Sequence, residues 1–165
     1  MRILTIAIAL AAMLLATGCA SKFKTYDGPE VTRVTVHKAA RRMYLWHHDR
    51  PLAAFEVDLG FAPEGHKQFE GDGRTPEGRY LIDRRNPDSS FHLSLGISYP
   101  NADDRAFARK SGKDPGGDIF IHGQGKWRHA WRSPDWTAGC IAVTNREIEA
   151  VYAMVRDGTV IDIFP

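Results

Sequence analysis

The sequence predicts a mainly β fold, a sandwich or barrel carrying one or two helices. Short runs that alternate apolar and polar residues recur along the chain, and clusters of Gly, Pro, Asn and Asp separate them. Helical spacing of apolar residues is confined to short stretches. VTRVTV (31–36) alternates as a half-buried strand should, and RRMYLWH (41–47) and LAAFEVDLG (52–60) follow at hairpin spacing, with a break at HDRP around Pro51. GRYLIDRR (78–85) and FHLSLGISYP (91–100) read as two more strands joined by the turn-forming NPDSS. DDRAFARKSG (103–112) predicts a short helix closed by Gly112, and DIFIHG (118–123) predicts a strand ending at a glycine. Thr144 or Asn145 can cap NREIEAVYAMVRDG (145–158), in which Ile148, Val151, Tyr152 and Val155 recur at helical spacing before Gly158. TVIDIF (159–164) is the last predicted strand. No internal repeat or low-complexity segment is present, and strand order cannot be read from the pattern.

The first nineteen residues, MRILTIAIALAAMLLATGC, carry one charge at Arg2 and then an apolar run from Ile3 to Ala16. That run is too short for a comfortable bilayer span and has the layout of a secretory signal peptide. Ala16-Thr17-Gly18-Cys19 resembles a bacterial lipobox, with Ala16 where leucine is usual. The resemblance implies cleavage before Cys19, lipidation of its thiol, and anchoring by more than one acyl chain. Ala20 resembles the residue found there in lipoproteins sent to the Gram-negative outer membrane, so the expected location is periplasmic and lipid-anchored. The expected organisation is therefore a signal peptide at 1–18, a lipidated N-terminus and tether at 19–29, and one folded domain at 30–165.

Charge excludes one class of partner. Removing residues 1–18 lowers Lys plus Arg from 22 to 21 against 20 acidic residues, and no basic block stands out, which argues against nucleic acid. The chain has two cysteines. If Cys19 carries lipid, Cys140 has no partner for an internal disulfide, and a lone thiol in an oxidising compartment is a liability unless buried or useful. No CxxC or HExxH spacing supports a metal site. Cys140 is therefore either an inert core residue or a nucleophile.

In DIFIHG, alternation puts Ile119 and Ile121 on one face and Phe120 and His122 on the other. His122 then projects from a strand end, where Gly123 permits a sharp turn, and Gly139 gives the same freedom before Cys140. A nearby imidazole can take a thiol proton, and backbone N–H groups at such a turn can stabilise a thiolate or an oxyanion. These features are compatible with catalysis but equally with a structural histidine and a buried cysteine.

The run from His122 through the fourteen residues Gly123 to Trp136 into TAGCI (137–141), with Asn145 soon after, resembles the YkuD-type L,D-transpeptidase signature. GDGRTPEGRY (71–80) and SFHLSLGISYPN (90–101) are similar to further segments of that family, the latter to its YafK/ErfK-like subgroup. The resemblance implies a YkuD-like β fold over residues 31–165. It also implies attack by Cys140 on a peptidoglycan stem peptide with expulsion of D-Ala, leaving a thioester. His122 would be general base and acid, oriented by the Gly123 carbonyl. Gly139, Thr137 and Ala138 would form the oxyanion and substrate cleft; His92 and Tyr99 either line that cleft or pack in the core. An amine on a second stem, or on a lipoprotein, would resolve the thioester, and no metal or organic cofactor is needed. GDGRTPEG reads either as a substrate contact or as a plain turn.

Two positions depart from the family pattern. Ala142 stands where most members have arginine, and Ala138 where many have His or Arg. Arg128, Arg132 and Arg109 are the candidate replacements for the missing cation. A peptidoglycan amidase that releases a linked lipoprotein, with water resolving the thioester, is the alternative activity. A catalytically silent peptidoglycan-binding lipoprotein is the alternative from another class. His47, His48 and His129 read as exposed, with the adjacent pair facing opposite ways.

Overall fold

The computed structural model describes residues 21–126 and 134–165. The signal-like segment 1–18, Cys19, Arg128, His129 and Arg132 lie outside the described residues. Alternating segments pair into β1 (Arg33–His37), β2 (Arg42–His47) and β3 (Arg50–Glu56), an antiparallel meander whose buried face carries Val34, Val36, Met43, Leu45 and Phe55. Pro51 lies inside β3 opposite Trp46, rather than breaking the strand as the sequence suggested. This is an edge strand, where a missing N–H costs no ladder bond. His48 sits in the β2–β3 turn with φ 51°, so the His47 and His48 rings meet edge-on at 4.5 Å instead of facing opposite ways.

The last strand, β8 (Val160–Phe164), pairs parallel with β1 and antiparallel with the first half of β4 (Gly78–Asn86). The second half of β4, past an irregularity between Ile82 and Arg84, pairs with β5 (Ser94–Ile97). The order continues through β6 (Phe120–His122) to β7 (Ile141–Ala142), giving β3-β2-β1-β8-β4-β5-β6-β7. β5 is shorter than the sequence suggested because Phe91 and His92 belong to a turn, with His92 at φ 80°. The chain beyond β3 leaves β2 and crosses to the other edge of the sheet. Asp58 bridges Ala142 and Gly60 bridges Thr137, so the curled sheet closes on itself.

Two helices complete the fold. α1 (Ala102–Lys110) opens on a capping box between Asn101 and Asp104. α2 (Asn145–Met154) opens on a second box between Thr144 and Glu147, and packs Ile148 and Val151 against β5 and β6. α2 ends before Val155, four residues earlier than the sequence suggested. Val155 turns extended and fully buried, and the Arg85 guanidinium accepts the role of cap by donating to the carbonyls of Tyr152 and Val155. Gly158 (φ 88°) serves the following turn into β8. Ser21–Pro29, read as a tether, lies on this side of the domain: Lys22 donates to Pro87 and His92 carbonyls, and Lys24 pairs with Glu149 at 3.3 Å.

The long loop between β3 and β4 is fixed by buried polar groups. Lys38, 2% exposed, donates to the carbonyls of Gly65 and Thr75 and to Glu77. His66 accepts the Glu77 N–H through Nδ1 and donates through Nε2 to Asp104, which also receives the Tyr80 hydroxyl. Burial alone would raise the Asp72 carboxyl. The N–H groups of Gln68, Phe69 and Arg74 and the Lys67 ammonium overcome it and hold that carboxyl at about 2. None of GDGRTPEG lines the cavity that contains Cys140. The segment is a turn, and it packs under the closure: a Cβ on Gly60 would meet the Gly73 carbonyl oxygen at 2.1 Å and the Gly139 Cα at 3.0 Å.

Because those obstacles are backbone atoms, Gly60→Ala is expected to destabilise the domain by about 2–3 kcal/mol. Equilibrium urea unfolding measures this, and a loss below about 0.5 kcal/mol would contradict the packing described.

Candidate active site

The chain before Cys140 is pinned at Asp135, Trp136, Thr137 and Gly139. Asp135 receives the Arg41 guanidinium through both carboxylate oxygens and the Leu59 N–H at 3.0 Å. Trp136 donates its indole N–H to Asp58 at 2.9 Å. Thr137 exchanges backbone bonds with Leu59 and Phe61, at 3.0 and 2.9 Å. The Thr137 hydroxyl then donates to the Cys140 carbonyl at 2.7 Å and accepts the Gly139 N–H at 3.1 Å, which folds the four residues into a tight turn. Gly139 has φ 134°, and a Cβ there would lie 2.6 Å from the Arg74 carbonyl oxygen, so only glycine fits.

His122 ends β6 beside Ala142 of β7 and is 3% exposed. Its Nδ1 lies 2.6 Å from the Gly123 carbonyl oxygen. A carbonyl can only accept, so Nδ1 carries the proton and Nε2 is left as a proton acceptor. Gly123 tolerates no side chain, because a Cβ would meet Asn145 Oδ1 and the Phe91 carbonyl oxygen, each at 2.7 Å. Asn145 fastens the loop that follows, accepting the Gln124 and Gly125 N–H groups and donating to the Gly125 carbonyl. Phe91 lies over the imidazole, with centroids 4.4 Å apart, and Trp136 meets its edge at 5.7 Å.

Cys140 and His122 line one cavity of about 290 Å³, together with Asn86, Ser90, Phe91 and Phe120. The half-buried thiol donates to the Asp118 carbonyl at 3.5 Å and accepts the Phe120 N–H. Burial pushes this thiol up from its ordinary value; the Phe120 N–H opposes the shift and the Asp118 carboxylate adds to it. Burial pushes the His122 imidazole down, against its bond to Gly123. Both groups are therefore neutral at rest: a thiol beside a base, rather than an ion pair.

This geometry accords with what is found among known proteins. The family model for the L,D-transpeptidase catalytic domain, YkuD, matches residues 31–163. The chain belongs to that family. The putative L,D-transpeptidase YafK of Escherichia coli K12 is 33% identical over 98 residues, 58% of this chain and 34% of that protein. The helical cell shape determining protein Pgp2 of Campylobacter jejuni superposes with TM-score 0.63 at 25% identity, over 88% of this chain and 51% of that one. The Enterococcus faecium L,D-transpeptidase C442S mutant superposes with TM-score 0.56 at 14% identity, over 82% and 50%, and shares the fold. The chain thus spans about a third of the curated relative and about half of these two structures.

Within this L,D-transpeptidase domain, the structure sorts the residues expected at the site. Cys140, His122 and the Gly123 carbonyl come together as the resemblance implied. Thr137 and Gly139 shape the Cys140 turn from beneath, and Ala138 is exposed beside it. Tyr99 does not reach the cleft. It is buried against Tyr80 and donates to the Pro115 carbonyl, because Ser98 and Tyr99 continue β5 away from its His122 end. His92 lines a neighbouring cavity, where Nε2 pairs with Glu149 at 2.9 Å. Arg109 lines a separate cavity beside α1 and is no substitute for a cation at Ala142, which is itself buried in β7. Sequence reasoning missed Phe91, Trp136, Arg41 and the Asn145 clamp. Asn145 had a spacing signal, whereas the others depend on strand order. Among the described residues no group of three or more His, Cys, Asp or Glu is placed to hold a metal, and no helix is long and apolar enough to cross a membrane.

A thiol held above its ordinary pKa gains thiolate only as pH rises through and beyond that value. Iodoacetamide labelling of Cys140 is expected to accelerate throughout the range from about pH 7 to pH 9. A rate that levels off below about pH 7 would reveal a preformed thiolate and contradict the neutral pair.

Proposed function

We propose that this domain is a peptidoglycan L,D-transpeptidase that works through a thioester on Cys140. The observation that carries the reading is the shared cavity of Cys140 and an imidazole whose Nδ1–H is committed to Gly123, leaving Nε2 to move protons. In the first half-reaction Sγ attacks the carbonyl of the third residue of a stem tetrapeptide while its proton passes to His122 Nε2. The Gly139 N–H is occupied by Thr137, and the Cys140 N–H has no acceptor among the described residues, so the latter is the donor positioned for the oxyanion. Collapse breaks the C–N bond, and D-Ala leaves with the proton from Nε2. In the second half-reaction an amine attacks the thioester, Nε2 takes its proton, and the proton returns to Sγ as the C–S bond breaks.

The burial that raises the thiol pKa suits this sequence, because the proton leaves sulfur only when a carbonyl is in place to be attacked. The aromatic faces of Phe91 and Trp136 hold the ring and limit water around it. The acceptor amine belongs to a second stem or to a lipoprotein lysine. Water in its place gives the amidase, which differs only in what resolves the thioester.

Purified muropeptides incubated with the full-length protein and analysed by mass spectrometry test the reading. Cross-linked dimers, or D-amino-acid exchange at the fourth position, are expected from the wild type. Losses of at least about 10³-fold are expected in Cys140→Ala and His122→Gln. Release of dipeptide from lipoprotein-linked stems without dimers would replace the transpeptidase by the amidase. Full activity in Cys140→Ala would sink both.

A further inference from the structure

A second cavity, of about 880 Å³, adjoins the one that holds Cys140 and His122, and Ser89 and Ser90 form part of the wall of both. Its size suits several residues of a peptide. Three separate segments bring cations to it: Lys22 from the N-terminal segment, Lys126 from the loop after His122, and Arg146 from the first turn of α2. The Lys22 ammonium is held in place by the Pro87 and His92 carbonyls, at 2.6 and 3.2 Å. Neither Lys126 nor Arg146 has an ion-pair or hydrogen-bond partner among the described residues. Glu149, the acid lining this space, is already shared between Lys24 and His92. The residues lining the cavity therefore carry more positive than negative charge.

The position of this charge matters as much as its sign. The loop Gln124–Lys126 follows directly on Gly123, whose carbonyl orients the His122 ring, and Asn145 fixes that loop to α2. A peptide lying in the larger cavity would enter the reaction from the side of the general base, while the smaller cavity holds the acyl group on Cys140. We propose that the larger cavity docks the second, acceptor peptide, and that it selects acceptors carrying free carboxylates near the attacking amine. The inference rests on the acyl-transfer reading and assigns its second substrate. The bond changes are those of the second half-reaction: the amine nitrogen joins the acyl carbon, its proton passes to Nε2, and the C–S bond breaks with return of the proton to Sγ.

The test uses the full-length protein, a synthetic tetrapeptide stem as donor, and two acceptors. One is the tripeptide L-Ala-γ-D-Glu-meso-diaminopimelate, and the other is the same peptide with its carboxylates amidated. The readout is the ratio of aminolysed to hydrolysed product, which does not depend on how fast the thioester forms. The wild type is expected to favour the free acid by about tenfold at limiting acceptor, and Lys126→Glu/Arg146→Glu is expected to remove or reverse that preference. Arg105→Glu/Arg109→Glu makes the same change in net charge beside α1 and is expected to keep it. Equal capture of both acceptors by the wild type, or an undiminished preference in Lys126→Glu/Arg146→Glu, would overturn the proposal. Undiminished preference combined with lost binding to phosphatidylglycerol vesicles would overturn it and assign the cations to a lipid surface. Hydrolysed product alone at every acceptor concentration would also overturn it, with the thioester intact. Absence of a thioester would instead refute the acyl-transfer reading on which it stands.

Discussion

Asp58 and Ala142 exchange both of their backbone hydrogen bonds, at 2.9 and 2.8 Å, and the rest of the site depends on that exchange. It joins the two edges of an eight-stranded sheet whose neighbours are otherwise set in one open order. With the edges joined, the segment 57–61 becomes a template for the segment 135–142, in which Asp135, Trp136, Thr137 and Ala142 find fixed partners. Asp135 meets Arg41 and Leu59, Trp136 meets Asp58, and Thr137 pairs with Gly60. The Cys140 turn has no such restraint of its own. Its backbone is a short run with Gly139 at φ 134°, a conformation that a free chain would not hold.

The same closure explains why glycines crowd under the turn. Gly60 lies against the backbones of both Gly73 and Gly139, and a methyl group on Gly60 has no room. The GDGRTPEG segment belongs to this support: Thr75 accepts the Gly60 N–H at 3.1 Å, and Arg74 turns its carbonyl toward Gly139. Buried Lys38 and Lys67 hold the segment through carbonyls and carboxylates. Their charges are desolvated, so they contribute mainly by fixing one geometry, Lys38 through three acceptors and Lys67 through two. Electrostatics at the reacting atoms then follow from burial. The thiol is pushed up and the imidazole down, which favours the uncharged form of each.

Strand-forming segments, the short helix α1 and the N-terminal cap of α2 were legible in the sequence because each has a local signature, whereas the pairing of Cys140 with His122 came from the resemblance to a family motif. Alternation fixed the face of His122, and the glycines flagged the two sharp turns. What was not legible required pairing between distant segments. For Tyr99 the sequence left cleft and core both open, and the fold decides for the core, beside Tyr80. β7, only two residues long, has no periodicity to detect and exists because Asp58 and Ile121 lie on either side of it. Arg41 and Asp135 are 94 residues apart, and no local pattern links them. The early end of α2 was missed for a similar reason: Arg85, from β4, supplies the cap.

Amide hydrogen exchange is the most direct test of the closure as the element that organises the site. The N–H groups of Asp58, Phe61, Thr137 and Ala142 bridge the two segments and report its opening. The account predicts that Arg41→Ala raises the exchange of these four together, by about tenfold, while β1–β8 amides stay protected. Cys140 reactivity should change in step with them. Unchanged exchange across the closure, alongside altered Cys140 reactivity, would show that the Cys140 turn is held by something else.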